Sequence, residues 1–360
     1  MDNKDAVVNL GRSLIVPSVQ ELAKQPITKI PPRYVRQLDH HEDELTTTTS
    51  SVPVIDLHNL FADTSSDMYS NELNKLHVAS KEWGFFQVIN HEISESLLDD
   101  FKRKVLNFFN LPMNEKQKLW QDEDNLEGFG QLFVVSENQK LDWSDMFGIT
   151  TLPHDLRKHQ LFQKLPLNFR ETLETYSTEM KKLALSILGQ MAKALGMDTQ
   201  EMTELFQDGY QAMRMNYYPP CPEPKMALGF SPHSDADALT ILYQLNETEG
   251  LQILKDGKWL AIKPLPNAFV INVGDIMEIV SNGVYRSIEH QATVNSNKER
   301  LSVATFYSSR MGTELGPAQS LVRQHKVVNF RRVPLEEYFK EFFARKLDGK
   351  SHLDFMKLRS

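Results

Sequence analysis

The spacing of apolar residues predicts helices through the first half of the chain. Apolar residues that recur every three or four positions are typical of helices with one buried face. Ser18 has the character of a residue that caps a short helix over 18–24. The run FFQVI (85–89) follows Gly84 and indicates a buried strand. The predicted helices span residues 71–83, 94–110, a short segment from 113, and 167–195, the last with an unbroken apolar stripe.

From residue 210 onward, short apolar runs alternate with turn residues. Asp256-Gly257 and Asn282-Gly283 are strong hairpin signals. Eight short strands separated by turns predict a jelly roll or a barrel. After Pro334, an amphipathic pattern predicts a C-terminal helix placed to close one end of it. The predicted strands span 211–217, 239–244, 251–254, 259–263, 268–273, 276–280, 285–290 and 301–307.

These patterns predict an α+β fold with four segments. Residues 1–51 form a weakly organised N-terminal extension, and its charged, Thr-rich end (41–51) is expected to be an exposed linker. Residues 52–207 form a helical region, 208–312 the jelly-roll core, and 313–360 a segment whose helix closes the barrel.

Composition excludes several classes of protein. The net charge of −8 argues against general binding to nucleic acid or anionic membranes. The single cysteine, Cys221, excludes an intrachain disulfide and a four-thiolate metal site. The polar N-terminus lacks a secretory signal, and no long apolar run is present, so we expect a cytoplasmic protein. No apolar surface stripe remains after the core is assigned, and we therefore expect a monomer.

The main chemical signal is His233-x-Asp235 followed at a distance by His290. On an extended strand, residues two apart share a face, so His233 and Asp235 point the same way. Two imidazoles and one carboxylate occupy one face of a metal and leave the other open, as in non-haem Fe(II) oxygenases. Each histidine taken singly is more often a surface or packing residue, because the chain has eleven of them.

Arg300-x-Ser302 supplies the second element of the site. The same period of two places both side chains on one strand face. An arginine fork binds a carboxylate with two parallel charge-assisted bonds, and a serine hydroxyl adds a donor beside it. Taken alone, Arg300 would be interpreted as a salt-bridged rim residue. With the metal ligands, it favours a cosubstrate that carries a carboxylate and a chelating group, and 2-oxoglutarate fits that description.

Several motifs together resemble the plant 2-oxoglutarate- and Fe(II)-dependent dioxygenases. The resemblance covers residues from about 15 to 352, and it is closest to the branch that contains the codeine and thebaine demethylases and the senescence-related dioxygenases. The motifs are NYYPPCPEP (216–224), HSD (233–235), His290, RLSVATF (300–306), EWGFFQVINH (82–91), EGFGQ with LDW (127–143) and KLDGKS (346–351).

The resemblance implies a distorted double-stranded β-helix, or jelly roll, with an N-terminal helical region. It implies Fe(II) on His233, Asp235 and His290, with O2 as cosubstrate and ascorbate as reductant. It also implies 2-oxoglutarate held by Arg300 and Ser302. In addition, Tyr218 adds a hydroxyl, Asn216 shapes the cosubstrate site, and Phe306 faces the organic substrate.

The implied reaction releases succinate and CO2 and hydroxylates the substrate. Hydroxylation of an O-methyl or N-methyl carbon gives an unstable product that expels formaldehyde, so demethylation is the same reaction at a different carbon. The chain departs from the branch's usual pattern at Phe230, Tyr243, Tyr307 and Gln291. None of these departures affects the metal or cosubstrate residues.

The aromatic side chains expected around the pocket suit a flat aromatic or polycyclic small-molecule substrate. Phe306, Phe133, Phe230 and Tyr243 are the residues expected to contact it, although simple core packing is an equal alternative for each. An alkaloid or methoxylated aromatic is favoured, followed by a flavonoid or a hormone-like terpenoid acid. A jelly roll that binds a small ligand without turnover is the alternative from another class. A zinc hydrolase is disfavoured because Arg300 and Ser302 would then have no role.

Overall fold

The computed structural model describes residues 11–36, 52–122 and 126–358. The predicted linker at 41–51 lies outside the described residues. The helices are α1 Val19–Ala23, α2 Leu57–Leu60, α3 Asp67–Val78, α4 Glu95–Phe109, α5 Met113–Gln117, α6 His159–Lys164, α7 Leu167–Leu195, α8 Thr199–Phe206, α9 Asp275–Val280, α10 Gln319–His325 and α11 Leu335–Phe343. A π-helical turn, Ala79–Trp83, continues α3, and 3₁₀ turns occupy Pro224–Met226 and Ser351–Phe355.

The strands form two facing sheets and a short hairpin-like pair. They are β1 Val54–Asp56, β2 Phe85–Ile89, β3 Gly128–Gly130, β4 Asp145–Leu152, β5 Gln211–Tyr218, β6 Phe230–His233, β7 Leu239–Gln244, β8 Leu251–Lys255, β9 Lys258–Ala261, β10 Phe269–Val273, β11 His290–Ala292, β12 Arg300–Tyr307, β13 Glu314–Leu315 and β14 Val333–Pro334. The major sheet has eight strands in the order β1-β2-β10-β7-β12-β5-β4-β3, and the minor sheet has four in the order β6-β11-β8-β9. This is the predicted jelly roll, and the α+β fold class is confirmed.

The long helix α7 matches its predicted bounds and buries the predicted stripe. Leu173, Tyr176, Met180, Ile187 and Met191 along it are all buried in the main core. The helix packs with α3 and α4 on the outer face of the major sheet. Burial of such a stripe, at about 25 cal/mol per Å² of apolar area, is what holds the helical layer on the sheet. Among the described residues, no helix is both long and apolar enough to cross a bilayer.

Three local predictions in the β-rich half are wrong. Residues 275–280 form helix α9, where the sequence predicts a strand over 276–280. Every residue of α9 is buried, so the run carries no alternation that distinguishes a strand from a helix. Residues 285–289 lie outside any strand, and β11 begins only at His290. Asn282-Gly283 follows α9 and does not connect two strands.

The other hairpin prediction is confirmed. Asp256 and Gly257 connect β8 to β9, and both have positive φ angles, 51° and 76°. A two-residue loop with two positive φ angles matches the right-handed twist of the flanking strands, and Asp-Gly adopts it readily.

Within the predicted N-terminal extension, residues 11–36 are described, and they pack beside strand β4 of the major sheet. Ser18 caps α1 as expected. The buried carboxylate of Asp145 on β4 accepts hydrogen bonds from the Ser18 hydroxyl at 2.6 Å and from the Val19 and Gln20 amides at 2.8 and 2.9 Å. The start of α1 is therefore attached to the sheet through one carboxylate distant in sequence.

Replacement of Asp145 by alanine is expected to lower the free energy of unfolding by about 3 kcal/mol, because it leaves three buried donors without an acceptor. Chemical denaturation of the variant and the wild type measures this difference. Asp155→Ala, at an exposed acidic position of the same region, is the control. An Asp145→Ala variant with wild-type stability would contradict this account of the N-terminal attachment.

Candidate active site

The predicted metal and cosubstrate residues lie between the two sheets. His233 ends β6 and His290 begins β11, and the two residues are directly paired in the minor sheet. Asp235 lies just beyond β6, so only His233 of the pair is in a strand. Arg300 on β12 faces them from the major sheet. Backbone pairing between distant strands thus assembles one site.

The three predicted metal ligands converge on a small volume. Their ligand atoms all lie within 4.8 Å of one another, and all three residues are buried. Oδ1 of Asp235 is 3.4 Å from Nε2 of His233 and 3.7 Å from Nε2 of His290. Two nitrogen atoms and one oxygen atom around one point are a donor set suited to Fe(II).

Hydrogen bonds orient each ligand atom toward that point. Nδ1 of His233 lies 2.8 Å from the Ser231 carbonyl oxygen, and Nδ1 of His290 lies 3.2 Å from that of Ile288. Because a carbonyl oxygen only accepts, each Nδ1 carries the proton and donates it. Each Nε2 therefore presents a lone pair to the metal position, so the imidazoles fit the implied iron.

Asp235 is held by two donors that the sequence patterns did not reveal. The Thr240 hydroxyl and the Asn272 side-chain amide donate to its Oδ2 at 2.6 and 2.7 Å. This leaves Oδ1 facing the histidines. Thr240 on β7 and Asn272 on β10 are neighbours in the major sheet. The two-residue period of a strand can indicate that Thr240 and Asn272 face inward, but it does not identify Asp235 as their hydrogen-bond partner.

The electrostatics of the site keep His290 and Asp235 in their metal-binding forms. Burial and the adjacent His233 lower the pKa of His290 to about 4, so its imidazole is neutral above that pH. Burial alone would raise the pKa of Asp235, but His290, His233 and Thr240 together bring it below its ordinary value. Asp235 is therefore ionised at neutral pH and can balance part of the charge of a divalent cation.

The C-terminal KLDGKS segment (346–351) and the following His352 contact residues that neighbour the metal ligands. The amide of Gly349 donates to the Pro232 carbonyl at 3.1 Å, next to His233. His352 pairs with the buried carboxylate of Asp275, which also accepts from the Ser234 hydroxyl at 3.1 Å. The ligand loop is thus packed between the barrel and the C-terminus.

The predicted cosubstrate residues line a small cavity of about 50 Å³ beside the ligands. Arg300 is 2% exposed, and its guanidinium lies 5.1 Å from the centre of the Tyr218 ring. A terminal nitrogen donates to Gln244 at 3.3 Å, and Nε has no hydrogen-bond partner among the described residues. Ser302 and Asn216 are paired on the adjacent strands. A buried, incompletely paired guanidinium is suited to a carboxylate ligand.

A larger cavity of about 440 Å³ opens from the metal position on the other side. Six phenylalanines line it. Three come from the barrel and the segment before it, Phe133, Phe230 and Phe306, and three come from helix α11, Phe339, Phe342 and Phe343. Phe230 and Phe306 border both cavities, as do His233, Asp235 and Arg214. The guanidinium of Arg214 is 3.8 Å from the centre of the Phe230 ring, and it was not singled out from the sequence.

One residue expected to contact the substrate lies elsewhere. Tyr243 is on the opposite face of β7 from Thr240 and Leu242, which face the interior. Its ring packs 5.5 Å from that of Phe269. Tyr243 lines neither cavity, because the period of two in a strand sends it to the helical layer. We therefore exclude it from the substrate residues.

Comparison with known proteins agrees with this geometry. Residues 209–309 match the 2OG-Fe(II) oxygenase superfamily, and residues 52–168 match the N-terminal family described as a non-haem dioxygenase in morphine synthesis. The chain is 52% identical to the oxoglutarate-dependent flavonoid 7-O-demethylase 1 of Ocimum basilicum over 98% of this chain and 93% of that protein. It is 51% identical to the codeine O-demethylase of Papaver somniferum, covering 98% and 99%.

A solved structure shows the same fold. The crystal structure of JOX2 in complex with 2OG, Fe and JA superposes with a TM-score of 0.84 and 33% identity, covering 96% of this chain and 98% of that one. The resemblance stated from the motifs is confirmed, and Fe(II) and 2-oxoglutarate are the cofactor and cosubstrate of the family. By its sequence, its fold and its three-residue metal site, the chain belongs to the 2OG-Fe(II) oxygenase superfamily and is a dioxygenase.

Proposed function

We propose that this dioxygenase hydroxylates or oxidatively demethylates a flat aromatic or polycyclic plant metabolite, with a methoxylated aromatic or an alkaloid favoured. The observation that carries the proposal is the cavity of about 440 Å³ that is lined by phenylalanines and reaches His233 and Asp235. Aromatic walls favour flat ring systems through stacking and edge contacts. The volume lies within the range of small-molecule sites.

Different residues of the chain hold the metal, the cosubstrate and the organic substrate. Together the bound iron and 2-oxoglutarate supply the oxidising power, and the protein supplies placement and exclusion of water. His233, Asp235 and His290 hold the metal, while Arg300, Ser302, Tyr218 and Asn216 hold the cosubstrate on the far side. Phe306 and Phe230 stand between the two cavities, so a ring that packs on them lies beside the metal.

Relatives support demethylation as the outcome. Two proteins about half identical to this chain are named as O-demethylases, one of a flavonoid and one of codeine. A methoxyl carbon directed at the metal would be hydroxylated and then lost as formaldehyde. The proposal also assumes that the protein acts as a monomer, so that a single chain binds the small-molecule substrate.

A second candidate is oxidation of a small carboxylic acid. Arg214 favours it, because its buried guanidinium borders the substrate cavity and its Nε has no hydrogen-bond partner among the described residues. A carboxylate placed there would pair with this cation. The phenylalanine-rich lining favours the aromatic class.

Succinate formation by the purified protein with Fe(II), ascorbate and O2 tests the proposal. Methoxylated flavones, methoxylated alkaloids and terpenoid acids are supplied in turn, with His233→Ala as the reference. The expected result is succinate that depends on a methoxylated compound, with formaldehyde and a product one methylene lighter, or a product one oxygen heavier. Turnover with terpenoid acids alone supports the second candidate. Tight binding without succinate supports a non-catalytic binder.

Gly148 on β4 gives a steric prediction for the same cavity. A Cβ there would meet the Leu126 carbonyl and the Met146 sulfur only at 3.5 Å, so the backbone tolerates a side chain. Gly148→Leu places that side chain in the substrate cavity. We expect kcat/KM for a polycyclic substrate to fall at least about tenfold, with little change in Tm. Gly189→Leu on α7, where a Cβ meets nothing within 4 Å, is the matched control. Equal losses in both variants would contradict the steric role.

A further inference from the structure

The end of the substrate cavity remote from the metal carries a polar cluster. Glu127, Thr150 and Tyr210 all line the cavity. Tyr210 directly precedes β5, and the inward positions of β5 lead from it toward Arg214 beside the metal. Four residues at about 3.3 Å each separate Tyr210 from Arg214, or about 13 Å along the strand. The cluster and Arg214 therefore lie about 13 Å apart along the wall of the cavity that β5 forms.

The directions of the hydrogen bonds in the cluster follow from counting protons. The Thr150 amide and hydroxyl donate to the two carboxylate oxygens of Glu127, at 3.0 and 2.8 Å. The hydroxyl of Thr150 has only one proton, and Glu127 receives it. The contact of 2.8 Å between Thr150 Oγ1 and the Tyr210 hydroxyl must therefore use the proton of Tyr210. Tyr210 is left with lone pairs and without a free proton.

Burial and neighbouring groups act on the two ionisable members of the cluster, Glu127 and Tyr210. Burial raises the pKa of Glu127, while the Thr150 donors, Lys158 and Arg157 oppose that rise. Burial and the charge of Glu127 raise the pKa of Tyr210 well above its ordinary value, so Tyr210 keeps its proton. The polar groups of the cluster that face the cavity are thus acceptors, with Lys158 as the cation beside them.

We propose that the Glu127–Thr150–Tyr210 cluster binds a hydrogen-bond donor on the substrate, a hydroxyl or a protonated amine, at the end opposite the oxidised carbon. This proposal rests on the proposed function and specifies its substrate. The rest of the cavity is largely apolar, so an acceptor that meets a methoxyl oxygen or a hydrocarbon loses its water and gains no partner. Sites built to bond a donor reject analogues that lack it for this reason.

Matched flavones test the proposal by direct binding. The probes are 7-methoxyflavones that carry a hydroxyl, an aminomethyl or a methoxyl group at the para position of the pendant ring. Calorimetry measures their Kd with the full-length protein loaded with Fe(II) and 2-oxoglutarate in the absence of O2. We expect the wild type to bind the hydroxyl probe or the aminomethyl probe about tenfold more tightly than the methoxyl probe. Preference for only one of the two donors identifies which class is bound.

Two variants test the role of the cluster. Tyr210→Phe removes the acceptor, and Thr150→Val removes the group that directs the tyrosine proton away from the cavity. Both are expected to reduce the preference for donor probes to less than about threefold. Thr178→Val on the exposed face of α7 is the matched control and should keep the wild-type preference. Melting temperatures identify a variant that fails to fold, and the other variant then decides.

The outcomes separate this proposal from the proposed function. Equal affinities of the wild type for all three probes would overturn the donor preference, and so would failure to bind any of them. An unchanged preference in a folded Tyr210→Phe variant would also overturn it. Donor-selective binding without succinate formation on addition of O2 would leave the recognition standing and count against the proposed demethylation.

Discussion

Replacing Asp235 by alanine is expected to abolish iron retention and to lower substrate-dependent succinate formation by at least about a thousandfold. Asp235 is the only carboxylate among the three ligands, and the buried imidazole of His290 is neutral above a pKa of about 4. Without that carboxylate, two neutral nitrogen atoms would hold a divalent cation in a buried site.

Iron content per chain after anaerobic reconstitution and dialysis measures the first effect, and succinate yield measures the second. Thr240→Val keeps all three ligands and removes one hydrogen bond to Asp235 Oδ2. It is expected to weaken iron binding by only about 10- to 100-fold, the usual effect of losing a partner of a ligand. Asp354→Ala, at an exposed carboxylate, is the control. A full complement of iron in Asp235→Ala would refute the assignment of this ligand.

The second large effect is expected at Arg300. Arg300→Gln should raise KM for 2-oxoglutarate by about 100-fold, because loss of one partner of a buried charge pair removes 2–5 kcal/mol of binding. The Cδ atom of Arg300 lies only 2.8 Å from the position that a Cβ on Gly250 would occupy. Because the side chain packs this closely on the Gly250 backbone, its guanidinium has little freedom to move. Arg300→Lys keeps the charge but loses the two-pronged geometry, and an intermediate KM is expected.

Succinate formation at varied 2-oxoglutarate and saturating organic substrate measures this KM. Lys298→Gln, two residues earlier and exposed, is the matched control and should leave KM unchanged. An Arg300→Gln variant that folds normally and keeps the wild-type KM would show that another group binds the distal carboxylate of the cosubstrate.

Local patterns carried much of the fold because they depend on neighbouring residues. The bounds of α7 agree with the 3.6-residue period of its buried stripe, and Asp256-Gly257 forms its hairpin because both residues accept positive φ. The same periodicity failed at residues 275–280, where every side of α9 is buried and no polar face indicates the period. Burial on all sides is a tertiary property, so no local pattern indicated the helix.

The residues of the active site likewise fall into those that local motifs indicate and those that depend on tertiary contacts. The short motifs of the sequence were sufficient to indicate the family, the iron and 2-oxoglutarate, and the set His233, Asp235 and His290, although Asp235 lies outside the strand on which the spacing argument placed it. The hydrogen bonds from Thr240 and Asn272 to Asp235 are seen only in the folded chain, because strands distant in sequence meet there. The tertiary structure also removed Tyr243 from the substrate cavity and assembled the cluster at its far end. Which face of a strand is inward, and which distant side chains share a hydrogen bond, depend on sheet register, and register is set by packing of the whole chain.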